Sequence, residues 1–396
     1  MTADEGNRVR IAIVTETWRP YVDGVVTRLS ATVSMLRREG HQVLVIAPDA
    51  GMPDGVESSF EGAQVRGINT FRVPFIYGGR PWGYPLPRVG RYLDEFRPDV
   101  VHVANPVMLG MAGVLAARRR RLPLVASYHT DVAQYAAHYY LGFLSGTIHR
   151  VTRGLHNAAS INLATSPTAC SQLRRLGVGN VHLWRRGVDL ELFRPERRAA
   201  ASRDRFGARP GQAIALYVGR LSSEKGLHHL ESLARDPSTM LVLVGDGPAR
   251  DRLSRRWSGL DVCLPGTLRG SDLADAYAAA DVFVFPSTTE TLGLVLLEAM
   301  ATGLPIIAAD SPTSRDLLQT HPHARVFSPD RAKTLPETVS ELAAAGGSAE
   351  DAAATRRVVE GWSWPAATRQ LLGFYQAAQR DAHAEQAGNA QGRRTG

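Results

Sequence analysis

An α/β fold of two parallel-sheet lobes is what this sequence predicts, on three observations. Residues 8–17, 25–39 and 42–48 run strand, helix, strand, the unit from which parallel sheets are built. Further short apolar runs, such as 99–105 and 122–129, end in polar residues, as buried parallel strands do at their carboxyl edges. Finally, 396 residues give room for two domains of ordinary size.

In chain order, the first strand (8–17) leads through a loop from Trp18 to Gly24 into a helix over 25–39 that Gly40 closes. The loop carries one glycine at the helix entrance and no GxGxxG, which argues against a dehydrogenase. Gly24 is either an ordinary turn glycine or a place where a phosphate approaches backbone N–H groups. From 50 to 88 the pattern weakens. A strand is expected at 71–74, then a loop whose Tyr77, Trp82 and Tyr84 either pack or line an acceptor pocket. Strands at 99–105 and 122–129 follow, the second ending at His129, with Asp131 two residues on. Residues 160–166 and 181–189 complete the first lobe.

In the second half, a strand over 213–220 ends in Gly219-Arg220 and turns into a helix past Lys225. Lys225 is one of two lysines beside 44 arginines, which points to a use for a compact charge rather than a planar fork, either converging with Arg220 on a diphosphate or forming a surface salt bridge to Glu224. A strand with the tight turn Gly245-Asp246-Gly247 comes next, then 264–273, with Asp272 near a helix start. Residues 281–287 form a buried strand, 287–291 a polar turn and 292–301 a helix closed by Gly303. Two carboxylates, Glu290 and Glu298, stand here. Glu298 lies among core-type residues, where an unpaired carboxylate costs several kcal/mol. Either Glu298 caps or forms a salt bridge within the domain and Glu290 is a solvated loop acid, or a ribose diol is the partner of Glu298, with Glu290 facing a sugar and the N–H groups of Leu292 and Gly293 open to a phosphate.

Composition excludes other classes. The 44% hydrophobic and 21% charged content is that of a globular protein, and no apolar run is long enough to span a membrane. The polar N-terminus is no signal peptide, and two cysteines without metal-ligand spacing fit a reduced, cytoplasmic protein. The net charge of +8 belongs wholly to the first half: 23 arginines against 15 acids up to Pro195, then 23 bases against 23 acids. Arg118–Arg121 concentrate four of those charges. They suit a helix end, or a face turned to an anionic acceptor or membrane surface. Nothing matches a nucleic-acid-binding motif.

The stretch ETLGLVLLE (290–298) resembles the E-x7-E motif of retaining glycosyltransferases of family 4, which have the two-lobed GT-B fold. GRLSSEKG (219–226) resembles the family's GR-x-x-x-EKG, SYHTDV (127–132) its sugar-contacting histidine, and RGVD (186–189) its (N)GVD element. Within the family the likeness is to sulfoquinovosyl transferases and actinobacterial GDP-mannose-dependent mannosyltransferases. It covers about residues 8–380.

The resemblance implies two Rossmann-like lobes facing each other across a cleft: 1–195 on the acceptor side, 196–362 binding the nucleotide-sugar. A helix over 363–380 crosses back to the first lobe, and 381–396 form a disordered tail. Catalytic roles fall to His129, Arg220, Lys225 and Glu290. Gly24, Arg220, Lys225, Thr267, Leu268, Glu290, Leu292, Gly293, Leu294 and Glu298 would hold the donor. Trp18, Asn105 and Asp131 would meet the acceptor. Arg220, Lys225 and helix-start amides would neutralise the departing diphosphate, so no metal or other cofactor is expected. A UDP-sugar is favoured by the TLGL element after Glu290, with GDP-mannose next. The acceptor is a glycolipid or small-molecule hydroxyl, reached from the cytoplasm or from the inner face of the membrane. Two other readings stay open: a sugar-nucleotide epimerase on the same fold, and a non-catalytic nucleotide-sugar-binding protein.

Overall fold

The computed structural model describes residues 8–21, 23–49, 58–72, 81–83, 87–129, 145–290, 292–345 and 349–392. The chain divides into two units, Met1–Arg185 with Trp364–Gly396, and Arg186–Ser363.

The first unit is organised on an eight-stranded sheet. Its strands are β1 (Arg10–Thr15), β2 (Gln42–Pro48), β3 (Ser59–Phe60), β4 (Ala63–Ile68), β7 (Val100–Ala104), β8 (Leu124–Tyr128), β9 (Ile161–Ala164) and β10 (Val181–Leu183). Their order is β10-β9-β8-β7-β1-β2-β4-β3, parallel except for the β3–β4 hairpin. β5 (Thr70–Arg72) and β6 (Pro81–Gly83) make a separate antiparallel pair. The central strands are largely apolar on both faces and buried, with one core packed against each side of the sheet and a few buried polar side chains, among them His102 and Ser127. Strand β4 has no counterpart in the expectations above. It alternates buried and exposed residues near the sheet edge, a short pattern that the polar segment before it hides.

The second unit carries β11 (Ala213–Val218), β12 (Thr239–Val244), β13 (Val262–Gly266), β14 (Val282–Phe285), β15 (Ile306–Ala309) and β16 (Ala324–Phe327). All are parallel, in the order β13-β12-β11-β14-β15-β16. The chain leaves β11 in one direction and returns to its other side with β14. Such a reversal opens a crevice at the carboxyl ends of the two strands, where open α/β sheets bind ligands.

Two boundaries differ from the sequence-based expectation. The first unit ends at Arg185 rather than 195, because residues 186–195 are tied to the second unit. Val188 bridges Ser363 and donates to the Trp362 carbonyl at 2.8 Å, and Arg356 holds the Leu190 and Phe193 carbonyls at 2.7 Å. The last helix runs from Trp364 to Gly392, through much of the expected tail. Its sequence there has four alanines, two glutamines and one glutamate among residues 381–392, a majority of good helix formers. No helix among the described residues is long and apolar enough to cross a membrane.

Candidate functional site

The β11–β14 switch point brings Lys225 and Glu290 together, with the Arg220 loop beside them. After β11 the chain passes Gly219-Arg220 into a short 3₁₀ turn over Ser223–Lys225. Leu221 N–H donates to the Asp246 carbonyl and Ala249 N–H to the Leu221 carbonyl, both at 2.9 Å. Gly245 and Gly247 allow this: a Cβ on either would lie 2.0 Å from the Gly219 oxygen or 2.4 Å from the Leu221 oxygen. The Gly-Asp-Gly turn therefore works as a bed for the Arg220 loop.

Lys225 Nζ reaches Glu290 Oε2 at 2.8 Å. Its neighbour Glu224 turns instead to the Ser222 hydroxyl at 2.6 Å. Glu290 Oε1 accepts from the N–H groups of Leu292 (3.2 Å) and Gly293 (3.4 Å). Burial works to raise the Glu290 carboxyl, but Lys225 and these amides together bring it down to about 2. The amides expected to stand open for a phosphate are thus taken by a carboxylate two and three residues back. The helix also starts later than expected, at Leu294, because Gly293 adopts φ 60° as its cap. A Cβ at Gly293 would meet Leu317 and Thr313 at 2.9 Å. The Arg220 side chain forms no hydrogen bond or ion pair with any described residue.

Glu298 lies on the half-open face of the helix Leu294–Ala301, where Leu294 itself is buried. Its carboxylate accepts from the Tyr277 hydroxyl at 2.8 Å. Tyr277 is fully buried and held edge-on by Phe193 at 5.4 Å. Burial pushes the Glu298 carboxyl up to about 7, with the Tyr277 hydrogen bond opposing. Thr267 and Leu268 follow β13 at the same sheet edge, Thr267 exposed and Leu268 half-buried.

Arg186, the first residue of RGVD, was not among the expected site residues. It is only 4% exposed. Burial lowers its guanidinium to about 10, while the charges of Asp316 and Glu290 act to raise it. A lone arginine in RGVD gave no sign of this, since Asp316, on the helix Pro312–Leu318, and Glu290, in the loop after β14, are distant in sequence.

In the first unit, His129 lies one residue past β8, 1% exposed, with Nε2 2.8 Å from Ser127 Oγ. Its backbone N–H reaches Asn105 Oδ1 at 3.4 Å, and Asn105 holds φ 58° just past β7. Gly24 opens the helix Gly24–Arg38, but Asp23 Oδ1 caps it by accepting from Val25 and Val26, both at 2.9 Å. A similar device serves the helix Leu109–Arg119. There Glu16 accepts from Val107, Leu109 and Gly110 at 3.1, 3.2 and 2.8 Å. Burial raises the Glu16 carboxyl against the pull of those amides. Trp18 is packed in the core, edge-on to Phe60 at 5.6 Å, so its ring has a packing task. Asp131, Tyr77 and Tyr84 lie outside the described residues, and so does the side chain of Trp82.

Two family models match the chain: Glycosyltransferase Family 4 over residues 22–192 and Glycosyl transferases group 1 over 199–357. A GDP-mannose-dependent alpha-mannosyltransferase of Mycobacterium tuberculosis is 38% identical over 371 residues, covering 93% of this chain and 97% of that protein. Sulfoquinovosyl transferase SQD2 of Arabidopsis thaliana is 34% identical over 304 residues, 75% of this chain and 59% of its own. Among solved structures, sucrose-phosphate synthase from Thermosynechococcus elongatus superposes with a TM-score of 0.74 at 22% identity, covering 93% of this chain and 99% of that one. Anabaena HepE in complex with UDP and glucose gives 0.72 at 20%, with 93% and 100% covered. At those identities the likeness is one of fold, the two-domain GT-B arrangement. Sequence and fold agree, and the chain belongs to the family 4, group 1 glycosyltransferases.

Proposed function

We propose that this glycosyltransferase moves mannose from GDP-mannose to a hydroxyl of a lipid-linked acceptor, with retention of anomeric configuration and without a metal. The observation that carries the reading is the Lys225–Glu290 pair at the β11–β14 switch point, five residues from an Arg220 that no described residue engages. Two cations there would meet the diphosphate and stabilise the negative charge that grows as the C1–oxygen bond breaks. Glu298, with one oxygen on Tyr277 and its face half open, would take the ribose diol. Glu290 would orient Lys225 and face the sugar. In a front-face route the acceptor oxygen bonds to C1 on the side the diphosphate leaves. Its proton passes to the departing phosphate oxygen, so no carboxylate nucleophile is needed.

GDP-mannose is preferred to a UDP-sugar because relatives matched over nearly the whole chain carry that donor in their names. The UDP expectation rested on the four residues Thr291–Leu294 alone. A lipid acceptor is supported by a relative named alpha-monoglucosyldiacylglycerol synthase, from Streptococcus pneumoniae. It is also supported by the exposed Leu115 and Val151, on helices that carry exposed Arg118, Arg119, Arg150 and Arg153.

A melting panel with GDP, UDP, ADP and dTDP, without metal, tests the donor, since a ligand of the folded state raises the melting point by mass action. GDP alone should stabilise, and Glu298→Ala should abolish the shift. Stabilisation by UDP alone would replace the donor; no shift with any nucleotide would sink the reading. GDP release from GDP-mannose should then depend on added acceptor, whereas an epimerase would convert the donor alone.

A further inference from the structure

Four buried side chains of the first unit form one line of hydrogen bonds. The Tyr375 hydroxyl lies 2.8 Å from His102 Nδ1, His102 Nε2 lies 2.8 Å from Ser127 Oγ, and Ser127 Oγ lies 2.8 Å from His129 Nε2. Tyr375, His102 and Ser127 are fully buried and His129 nearly so. Trp184 holds both rings in place, edge-on to His102 at 5.6 Å and to His129 at 5.9 Å, and is itself fixed by a hydrogen bond to the Ala367 carbonyl. The line ends at His129 Nδ1, which is buried and bonded to no described residue.

Its direction follows from counting protons. Burial, helped by the nearby Arg28 charge, lowers the basicity of both imidazoles, His102 to about 3, so each is neutral. A neutral imidazole has one N–H and one lone pair, and a hydroxyl has one proton to give. If Tyr375 donates to His102 Nδ1, His102 carries its proton on Nε2 and donates it to Ser127. Ser127 then donates to His129 Nε2, and His129 must carry its own proton on Nδ1. Reversing the line strands the Tyr375 proton in the core. Letting both imidazoles donate to Ser127 strands the serine proton. Each of these also leaves the Nδ1 lone pair idle, so the first arrangement leaves the fewest buried groups unmet.

We propose that this relay fixes His129 as its Nδ1–H tautomer, giving the first unit a preset hydrogen-bond donor for a substrate oxygen, with Tyr375, His102 and Ser127 as positioning residues. The substrate half rests on the glycosyl-transfer reading; the tautomer half does not. Tyr375 comes from the helix Trp364–Gly392, so the last helix of the chain would set the chemistry of a residue 246 positions earlier.

The full-length protein, labelled with ¹⁵N-histidine, answers the question by long-range ¹H–¹⁵N correlation, with the His129 signal assigned by its loss in His129→Gln. The expected pattern is a protonated Nδ1 and an unprotonated Nε2; a protonated Nε2 overturns the proposal. Ser127→Ala should move the His129 proton wholly or partly to Nε2 and lower kcat/KM for transfer about tenfold, the worth of one hydrogen bond. Tyr375→Phe keeps the ring and removes only the hydroxyl, so it gives the same test should Ser127→Ala fold poorly. A folded variant of either kind that still shows His129 wholly in its Nδ1–H form overturns the relay. A wild-type protein with the Nδ1–H form but no transferase activity would support the tautomer assignment and remove the reading of function.

Discussion

Lys225 and Glu290 stand 65 residues apart in the chain and 2.8 Å apart in the fold, joining the loops that leave β11 and β14. The pair does two things at once. It neutralises a carboxylate that also closes the amides of Leu292 and Gly293, and it holds an ammonium at the sheet's switch point. Removal of either partner therefore leaves a half-buried charge.

Lys225→Ala should lower kcat/KM by about 10–100-fold, or roughly 1.5–3 kcal/mol for a charged hydrogen bond. It should also lower the melting temperature of the free protein, because Glu290 loses the charge that holds its carboxyl near 2. Lys225→Arg should recover the melting point better than the rate, since a planar fork does not replace a point charge on the same stem length. Steady-state kinetics beside a melting curve checks both; an alanine variant with wild-type kinetics would remove Lys225 from the mechanism.

Glu298 carries a pH signature. Its value of about 7 in the folded chain lies above the ordinary 4.5, because burial disfavours the charged form. Its contribution to stability is thus full below about 4.5 and is lost as pH rises through about 7. Relative to Glu298→Gln, the nucleotide-free wild type should lose melting temperature over that window. Binding of a ribose diol wants the ionised acid, so GDP affinity should strengthen over the same window and show no such rise in Glu298→Gln. Tyr277→Phe removes the hydroxyl that opposes the shift, and should move the midpoint to higher pH. Calorimetric titrations across pH 5–9 would reveal a flat wild-type profile if Glu298 has no part in binding.

Glu16 is the half-buried cap of the helix Leu109–Arg119, accepting from three backbone amides. Glu16→Ala leaves those donors unmet and should destabilise the protein by about 1–3 kcal/mol, seen as a lower urea midpoint. Glu16→Gln, which keeps one acceptor oxygen, should lose less. Equal losses in the two variants would show that packing rather than capping sets the effect.

Leu115 and Val151 are exposed apolar side chains on arginine-bearing helices of the first unit. If the acceptor lies in a membrane, the chain should sediment with vesicles containing anionic lipid, and far less with neutral ones or at high salt. Replacing both residues by serine should weaken that binding several-fold. Binding that ignores lipid charge would argue for a different acceptor.

The sequence by itself determined the architecture and supplied the candidate site residues. Apolar runs with polar carboxyl ends are local signals, and they located the central strands of both sheets. The spacing of Glu290 and Glu298 by itself suited a structural role as well as a ribose contact; the order in which Gly24, His129, Arg220/Lys225 and Glu290/Glu298 resemble the family's motifs is what pointed to a nucleotide-sugar donor. Tertiary structure alone decided the partners. Lys225 meets Glu290 rather than the adjacent Glu224, Glu298 meets Tyr277 from another helix, and Tyr375 meets His102 across 273 residues. Two helix starts that sequence leaves open to an anion are occupied by Asp23 and Glu290, and Glu16 fills a third that sequence did not single out. The reason is physical: periodicity and propensity act over a few residues, whereas a buried charge or proton is satisfied by whatever group the packed sheet brings within 3 Å.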